Sequence, residues 1–408
     1  MGFRLFFILM SLLFVEISCS AAKQDGKTPR QNDDADGVAG GAGNLPQAPD
    51  AGLPPATGPA PATPASPVTP MNPIATAPGE PSGPAPGRPA PLPAPDPGIP
   101  QVDPQTPAPS APAQPATGTC ADLKSGDGFI DADGLYAVLG KMVDVGPRHT
   151  ASPADIAWLD YLQGRMEEIG MSSIARDKVT VTGHGIMSHP SAPKSGTTYH
   201  VSGLLPGNGK NGDKVIVMGV HSDGQNSIEE NGTVILMEIA AWLARIPKEC
   251  RNYTYALVFA TAHMASADSK EAAGWAVKHP DIMRRAVAFV SPEHVGFLRR
   301  DKKTPISFAM MATSSALQSL AKKLIAEEGV KNITISTAGI GTGGVWRIIS
   351  GKPTVGGMTS QVDAFLAGLF DPEVGMDQVD KGIFHRTSRM FARLVGEMDG
   401  MSADEMKR

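Results

Sequence analysis

Proline is distributed so unevenly along this chain that it decides where a fold can form: 26 of the 37 prolines fall between residues 23 and 118. Proline fixes φ and removes a backbone donor, so a stretch this dense in it suits neither a helix interior nor a central strand. Ala, Gly, Thr and Ser fill most of the remainder, with too little apolar surface to offset the entropy of ordering. Residues 23–118 are therefore expected to be an extended, disordered linker. Folding is confined to residues 119–408, enough chain for one sizeable core.

Ahead of the linker, residues 1–22 have the form of an export signal: Arg4, a run from Leu5 to Val15 that is apolar except at Ser11, and a small-residue exit at Ser18-Cys19. The run is too short for a transmembrane helix, which needs about 20 residues. Cys19 stands where a lipoprotein signal places its acylated cysteine, although Glu16 departs from the apolar residue usual there. The alternative is ordinary cleavage near Ser18 to Ala22. The expected location is outside the cytoplasm, as an outer-membrane or cell-surface lipoprotein or a periplasmic or secreted protein, with membrane contact only through Cys19. Removal or acylation of Cys19 leaves Cys120 and Cys250 as an even pair that an oxidising compartment lets close as a disulfide. A net charge of -5 with no dense basic run argues against nucleic acid as a partner.

Within 119–408, hydrophobic patterning alternates between strands and helices. Strand-like segments lie near Lys178 to Val181 and Thr198 to Leu204, and further strands run into His221, His263 and Glu293. Ser152 as N-cap, Pro153 at the first helical position and Asp155 in the first turn start a helix whose apolar face is Ile156, Leu159, Leu162, Met166 and Ile169, with Gly170 as its stop. Ile383 to Met398 repeats Phe384, Phe391, Leu394 and Val395 at helical spacing and is expected to close the domain. This order predicts an α/β three-layer sandwich with a mixed, mostly parallel central sheet covered by helices on both faces.

Lys214 to Val220 reads as a buried strand that runs directly into His221-Ser222-Asp223. Such a strand delivers an imidazole and a carboxylate to the carboxyl edge of a sheet, where open α/β folds place their sites. Around it, in order, stand Gly146-Pro147-Arg148-His149 with Tyr161-Leu162, Glu230-Asn231-Gly232-Thr233 with Met237-Glu238-Ile239-Ala240, the strand Tyr255 to Ala260 into His263-Met264, and Ser291-Pro292-Glu293-His294-Val295-Gly296. Over residues 130 to 398 this succession resembles the zinc aminopeptidases of the bacterial leucyl type, relatives of the glutaminyl cyclases.

The resemblance implies hydrolysis of an N-terminal peptide bond with zinc-activated water, on a peptide or small amide substrate. It aligns His221, Glu230 and Glu293 with the ligands of one metal, Glu230 at the bridging position, and Asp223 with the carboxylate that orients the histidine. Which of Glu229 and Glu230 faces the metal is left open by alternation, and the following Asn231-Gly232 favours Glu230. The family's paired glutamates fall on His263-Met264, and its last histidine falls in the His-free stretch Gly339 to Trp346. One zinc at most is therefore expected, because thioether is a poor ligand where oxygen is needed. His263 stands at the base position, either as proton acceptor or as a packed polar residue. His294 is expected on the opposite side from Glu293 if the segment is extended. Gly341, Thr342 and Trp346 are expected to line the substrate cleft, and Gly339 to Gly344 lacks the spacing of a phosphate loop. His149, His184, His189, His200, His279 and His385 match no ligand position. The rival readings are a catalytically inactive relative that binds peptides or envelope material, and a single-metal cyclase.

Overall fold

In the computed structural model, residues 118–185, 188–337 and 341–408 are described, and all belong to one compact unit. The signal (1–22), Cys19 and the linker, up to residue 117, lie outside them. Among the described residues, eleven helices surround one nine-stranded sheet.

The strands are β1 (Ser172–His184), β2 (Gly196–Leu205), β3 (Asn211–His221), β4 (Tyr253–Ala260), β5 (Ala265–Ala267), β6 (Ala286–Pro292), β7 (Phe308–Ala312), β8 (Ile333–Ser336) and β9 (Thr354–Thr359), in the order β5-β1-β2-β4-β3-β6-β9-β7-β8. The four central strands β4, β3, β6 and β9 run parallel, while β5, β1 and β2 on one flank and β7 against β9 on the other pair antiparallel. Parallel strands need both faces covered, and β3 shows this in its residues. Ile216, Met218 and Val220 enter the larger core, whereas Val215 and Val217 enter a smaller core on the other face. All five are fully buried, each contributing roughly 1.5–3 kcal/mol relative to exposure.

On the larger face pack α1 (Asp122–Ser125), α2 (Ala132–Asp144), α3 (Pro153–Glu168), α4 (Gly232–Arg245), α7 (Ser315–Glu327), α10 (Lys381–Asp399) and α11 (Ala403–Lys407). On the smaller lie α5 (Glu271–Lys278), α6 (Pro280–Arg285) and α8 (Gly341–Ser350). The short α9 (Gln361–Ala367) follows β9. The helix starting at Ser152 forms as expected: the Ser152 hydroxyl accepts from the Asp155 amide at 3.1 Å, and Gly170 ends the segment at φ 75°. Asp380 caps α10 by accepting from the Ile383 amide at 2.7 Å. The Asp399 carboxylate at its far end accepts from the Asn252 and Tyr253 amides and the Tyr255 hydroxyl, pinning the start of β4. Cys120 and Cys250 form a disulfide across 130 residues of chain.

Of the glycine-rich stretch, Gly339 and Ile340 lie outside the described residues, and from Gly341 onward the chain is the helix α8.

Candidate metal centre

Parallel neighbours β3 and β6 end side by side, so the residues that follow them meet at one edge of the sheet. His221 is the last residue of β3, and Glu293 and His294 follow β6 directly. Donor atoms of His221, Glu293 and His294 all lie within 4.8 Å of one another, the one such group of three among the described residues. Their exposures are 1%, 2% and 3%.

His221 Nδ1 lies 3.0 Å from the backbone carbonyl of Asp223, which fixes that nitrogen as the protonated one and leaves Nε2 with a free lone pair. Nε2 has no hydrogen-bond partner and sits 3.8 Å from Glu293 Oε2. Glu293 Oε1 accepts from the Thr342 amide at 2.7 Å, at the first turn of α8. Gly341 is required here: at φ 58°, a Cβ would fall 2.7 Å from Glu293 Oε2. Burial pushes the Glu293 carboxyl up to about 7, against the hydrogen bond from Thr342 and the charge on His263.

His294 joins the cluster contrary to expectation, and the backbone gives the reason. β6 stops at Pro292, and His294 adopts φ 53°, a left-handed conformation that breaks the alternation and turns its ring toward His221. Both its ring nitrogens are buried without a partner. Burial and then the neighbouring His263 drive its pKa down to about 3, and the same two causes hold His221 well below the ordinary value. Both rings are thus neutral, the form that ligates metal.

Glu230 is a correction in the other direction. Also left-handed at φ 60°, it turns to Arg148, whose Nη2 donates to Oε2 at 2.8 Å in a fully buried ion pair. Arg148 donates further to the carbonyls of Met142, Gly146 and Asn226. Gly224 is pressed so closely on the Glu230 carboxylate that a side chain there would collide with it. The Glu230 carboxyl is raised by burial, with Arg148 offsetting part of that. Arg148 takes Glu230 from the bridging role, and Glu230 is not part of the cluster. Glu229 does not replace it there. It is buried, with Oε2 unpartnered and its carboxyl raised by burial and by Glu230.

Asp223 orients His221 through its backbone carbonyl, not its side chain. The carboxylate instead accepts from the Thr150 hydroxyl and from the amides of His263 at 3.1 Å and Met264 at 3.2 Å. It thereby ties the segments after β3 and β4 together. The His263 ring stacks on His221 with centroids 4.1 Å apart and planes at 18°. Its Nδ1 lies 3.4 Å from Glu271 Oε1, within ion-pair range but without hydrogen-bond alignment. At 30% exposure it is the one ring near the cluster that reaches solvent. Burial opposes its charge, yet Glu271, Asp223 and Glu229 outweigh it and push the pKa up to about 10. His263 therefore carries its proton at neutral pH, opposite to the acceptor expected of a base. Glu271 is a partner that sequence reading missed, because nothing in the eight-residue interval marks the two as facing.

Trp346 is not a cleft residue. It is fully buried beneath the sheet, stacked on Phe289 at 5.2 Å, and donates from Nε1 to the Gly219 carbonyl at 2.9 Å. Thr342 and Gly341 do border the cluster, through Glu293.

The donor set fits one zinc ion. Ligands at about 2.1 Å in a tetrahedron stand about 3.4 Å apart, close to the 3.8 Å between His221 Nε2 and Glu293 Oε2. The lone pairs that would otherwise be stranded in the interior are the ones such an ion uses. Two imidazoles and one carboxylate is a ligand count typical of catalytic zinc, with a fourth position open.

No protein-family model and no curated protein matches this sequence. Solved structures do. The chain is similar to a zinc aminopeptidase from Bacillus subtilis, at TM-score 0.52 and 10% identity over 69% of this chain and 98% of that one. It is similar to Porphyromonas gingivalis glutaminyl cyclase, at 0.53 and 14% over 66% and 99%. A zinc-dependent exopeptidase from Parabacteroides distasonis gives 0.50 and 13% over 65% and 97%. The fold is that of the zinc exopeptidases. Identities this low carry the zinc-exopeptidase architecture only.

Proposed function

We propose that this zinc-exopeptidase-fold domain is a metallo-aminopeptidase-like hydrolase with a single zinc on His221, Glu293 and His294, acting on N-terminal amides of peptides or small aminoacyl amides. The donor set carries this reading: two neutral imidazoles and a carboxylate converge in the interior, and His221 Nε2 and both His294 nitrogens lack any other partner. Zinc bound there would supply Lewis-acid chemistry toward an amide carbonyl and its attacking water. His263 is placed to carry a proton, because its partly exposed ring lies against His221 and is paired with Glu271. In that state it serves a departing amine as donor. Glu271 and the Asp223 carboxylate hold it there.

A second reading, an inactive relative that binds peptide or envelope material, is favoured by the depth of the cluster, whose three ligands are at most 3% exposed. Metal analysis of the purified chain followed by an aminoacyl p-nitroanilide panel separates the two. One zinc per chain, lost in His221→Ala and His294→Ala together with slow hydrolysis, is the expected result. One zinc without hydrolysis selects the binding reading, and no zinc refutes the metal centre. We also propose export with lipid anchoring at Cys19, on the pattern of residues 1–22. Palmitate incorporation that survives Cys19→Ala would rule the anchor out.

A further inference from the structure

On the smaller face, α5 and α6 stop short of covering the flank of the sheet, and a cavity of about 240 Å³ lies between them and strands β1, β2 and β4. That is just below the range of about 300–1,000 Å³ typical of sites for drug-sized ligands, so its occupant is smaller. Small side chains line it, among them Ser202 on β2 and Ala256 on β4, together with the apolar Leu204 and Ile282. Its wall is Trp275 of α5, stacked on His279 at 4.6 Å.

The polar groups are of two kinds. Trp275 Nε1 is a buried donor with no partner, and the buried Ser202 supplies a hydroxyl. Asp281, exposed at the rim, supplies a carboxylate. The nearby Asp177 is already engaged by His279 Nε2 at 2.6 Å, which leaves Asp281 to meet a cation. Neutral donors, an anion and aliphatic side chains on one cavity complement a small molecule that carries a carboxylate, an ammonium and an aliphatic side chain.

We propose that this cavity binds a free aliphatic α-amino acid, with its ammonium on Asp281, its carboxylate on the Ser202 hydroxyl and the Trp275 indole N–H, and its side chain against Leu204, Ala256 and Ile282. The site stands apart from the metal centre and does not rest on that centre being catalytic. The chain has four tryptophans, so its indole N–H region in a nitrogen–proton correlation spectrum has four signals, and Trp275→Phe assigns the relevant one. Titration of the full chain with L-leucine in the millimolar range should move the Trp275 signal saturably. N-acetyl-L-leucinamide, which lacks both charges, should not move it. Asp281→Asn, at an exposed position, should weaken binding about tenfold, the size of one charge-assisted contact, and Ser202→Val should weaken it too. His221→Ala should leave the shift in place. No shift with L-leucine, an equal shift with the capped compound, affinity unchanged in both Asp281→Asn and Ser202→Val, or loss of the shift in His221→Ala would each overturn the proposal.

Discussion

Replacing His294 by leucine should change the sign of its effect according to whether zinc is present. Without metal, the wild-type chain keeps two imidazole nitrogens buried and unpartnered. A stranded polar group costs about 1–3 kcal/mol, and an apolar side chain of similar size removes that cost. Unfolding entropy is about 2.1 cal/mol/K per residue, which over the roughly 290 residues from 118 to 408 gives about 0.6 kcal/mol/K. His294→Leu should therefore raise Tm by about 2–5 °C in metal-free buffer. With free zinc at a hundred times its Kd, the wild type gains about 2.7 kcal/mol, or about 4–5 °C. The variant, reduced to one imidazole and one carboxylate, gains almost nothing. Melting curves of both proteins with chelator and with zinc should accordingly cross. Histidine is enriched over leucine in the left-handed region, so backbone strain in the variant offsets part of the metal-free rise, and the response to zinc, from which the strain cancels, decides the comparison. A variant that gains as much from zinc as the wild type would refute the assignment of His294.

Two further outcomes follow from buried charge. Arg148→Met leaves the Glu230 carboxylate in the interior without its 2.8 Å partner and should cost about 3–5 kcal/mol, or about 5–8 °C on the same scale. Adding Glu230→Gln should recover part of that, and equal losses in the single and double variants would show that the pair is not coupled. His200, pushed down to about 4 by burial first, binds no proton between about pH 6.5 and 4, whereas the unfolded chain does. Its stabilising contribution is thus complete above pH 6.5 and is lost as the pH falls through that window, at up to about 1.4 kcal/mol per unit. Urea melts of wild type and His200→Gln at about pH 7 and about pH 5 should show a shallower decline in the variant, and identical declines would exclude His200 as the source.

What could be read in the sequence was local. Ser152, Pro153 and Asp155 mark a helix start because capping is a contact between residues three apart, and it is found where expected. The run into His221 identifies a two-faced central strand because its burial follows from its own residues. The site required information of another kind. Glu230 is drawn off by Arg148 from 82 residues away. His294 is brought in by a single left-handed dihedral that strand alternation cannot anticipate. Trp346 is expected at the cleft because the glycines at 339–344 mask the helical spacing that places it in the core.

The Cys120–Cys250 bridge also fixes how the domain bears mechanical load. A pull on the chain ahead of Gly118 would otherwise peel away the four-residue α1 first, one turn at a time. With the bridge closed, tension passes covalently to Cys250, three residues before β4. That strand is hydrogen-bonded on both edges, to β2 and β3, so the load spreads over two ladders at once. Reduction of the bridge would reroute the same tension into the single turn of α1, turning a shear-resistant anchor into a zipper.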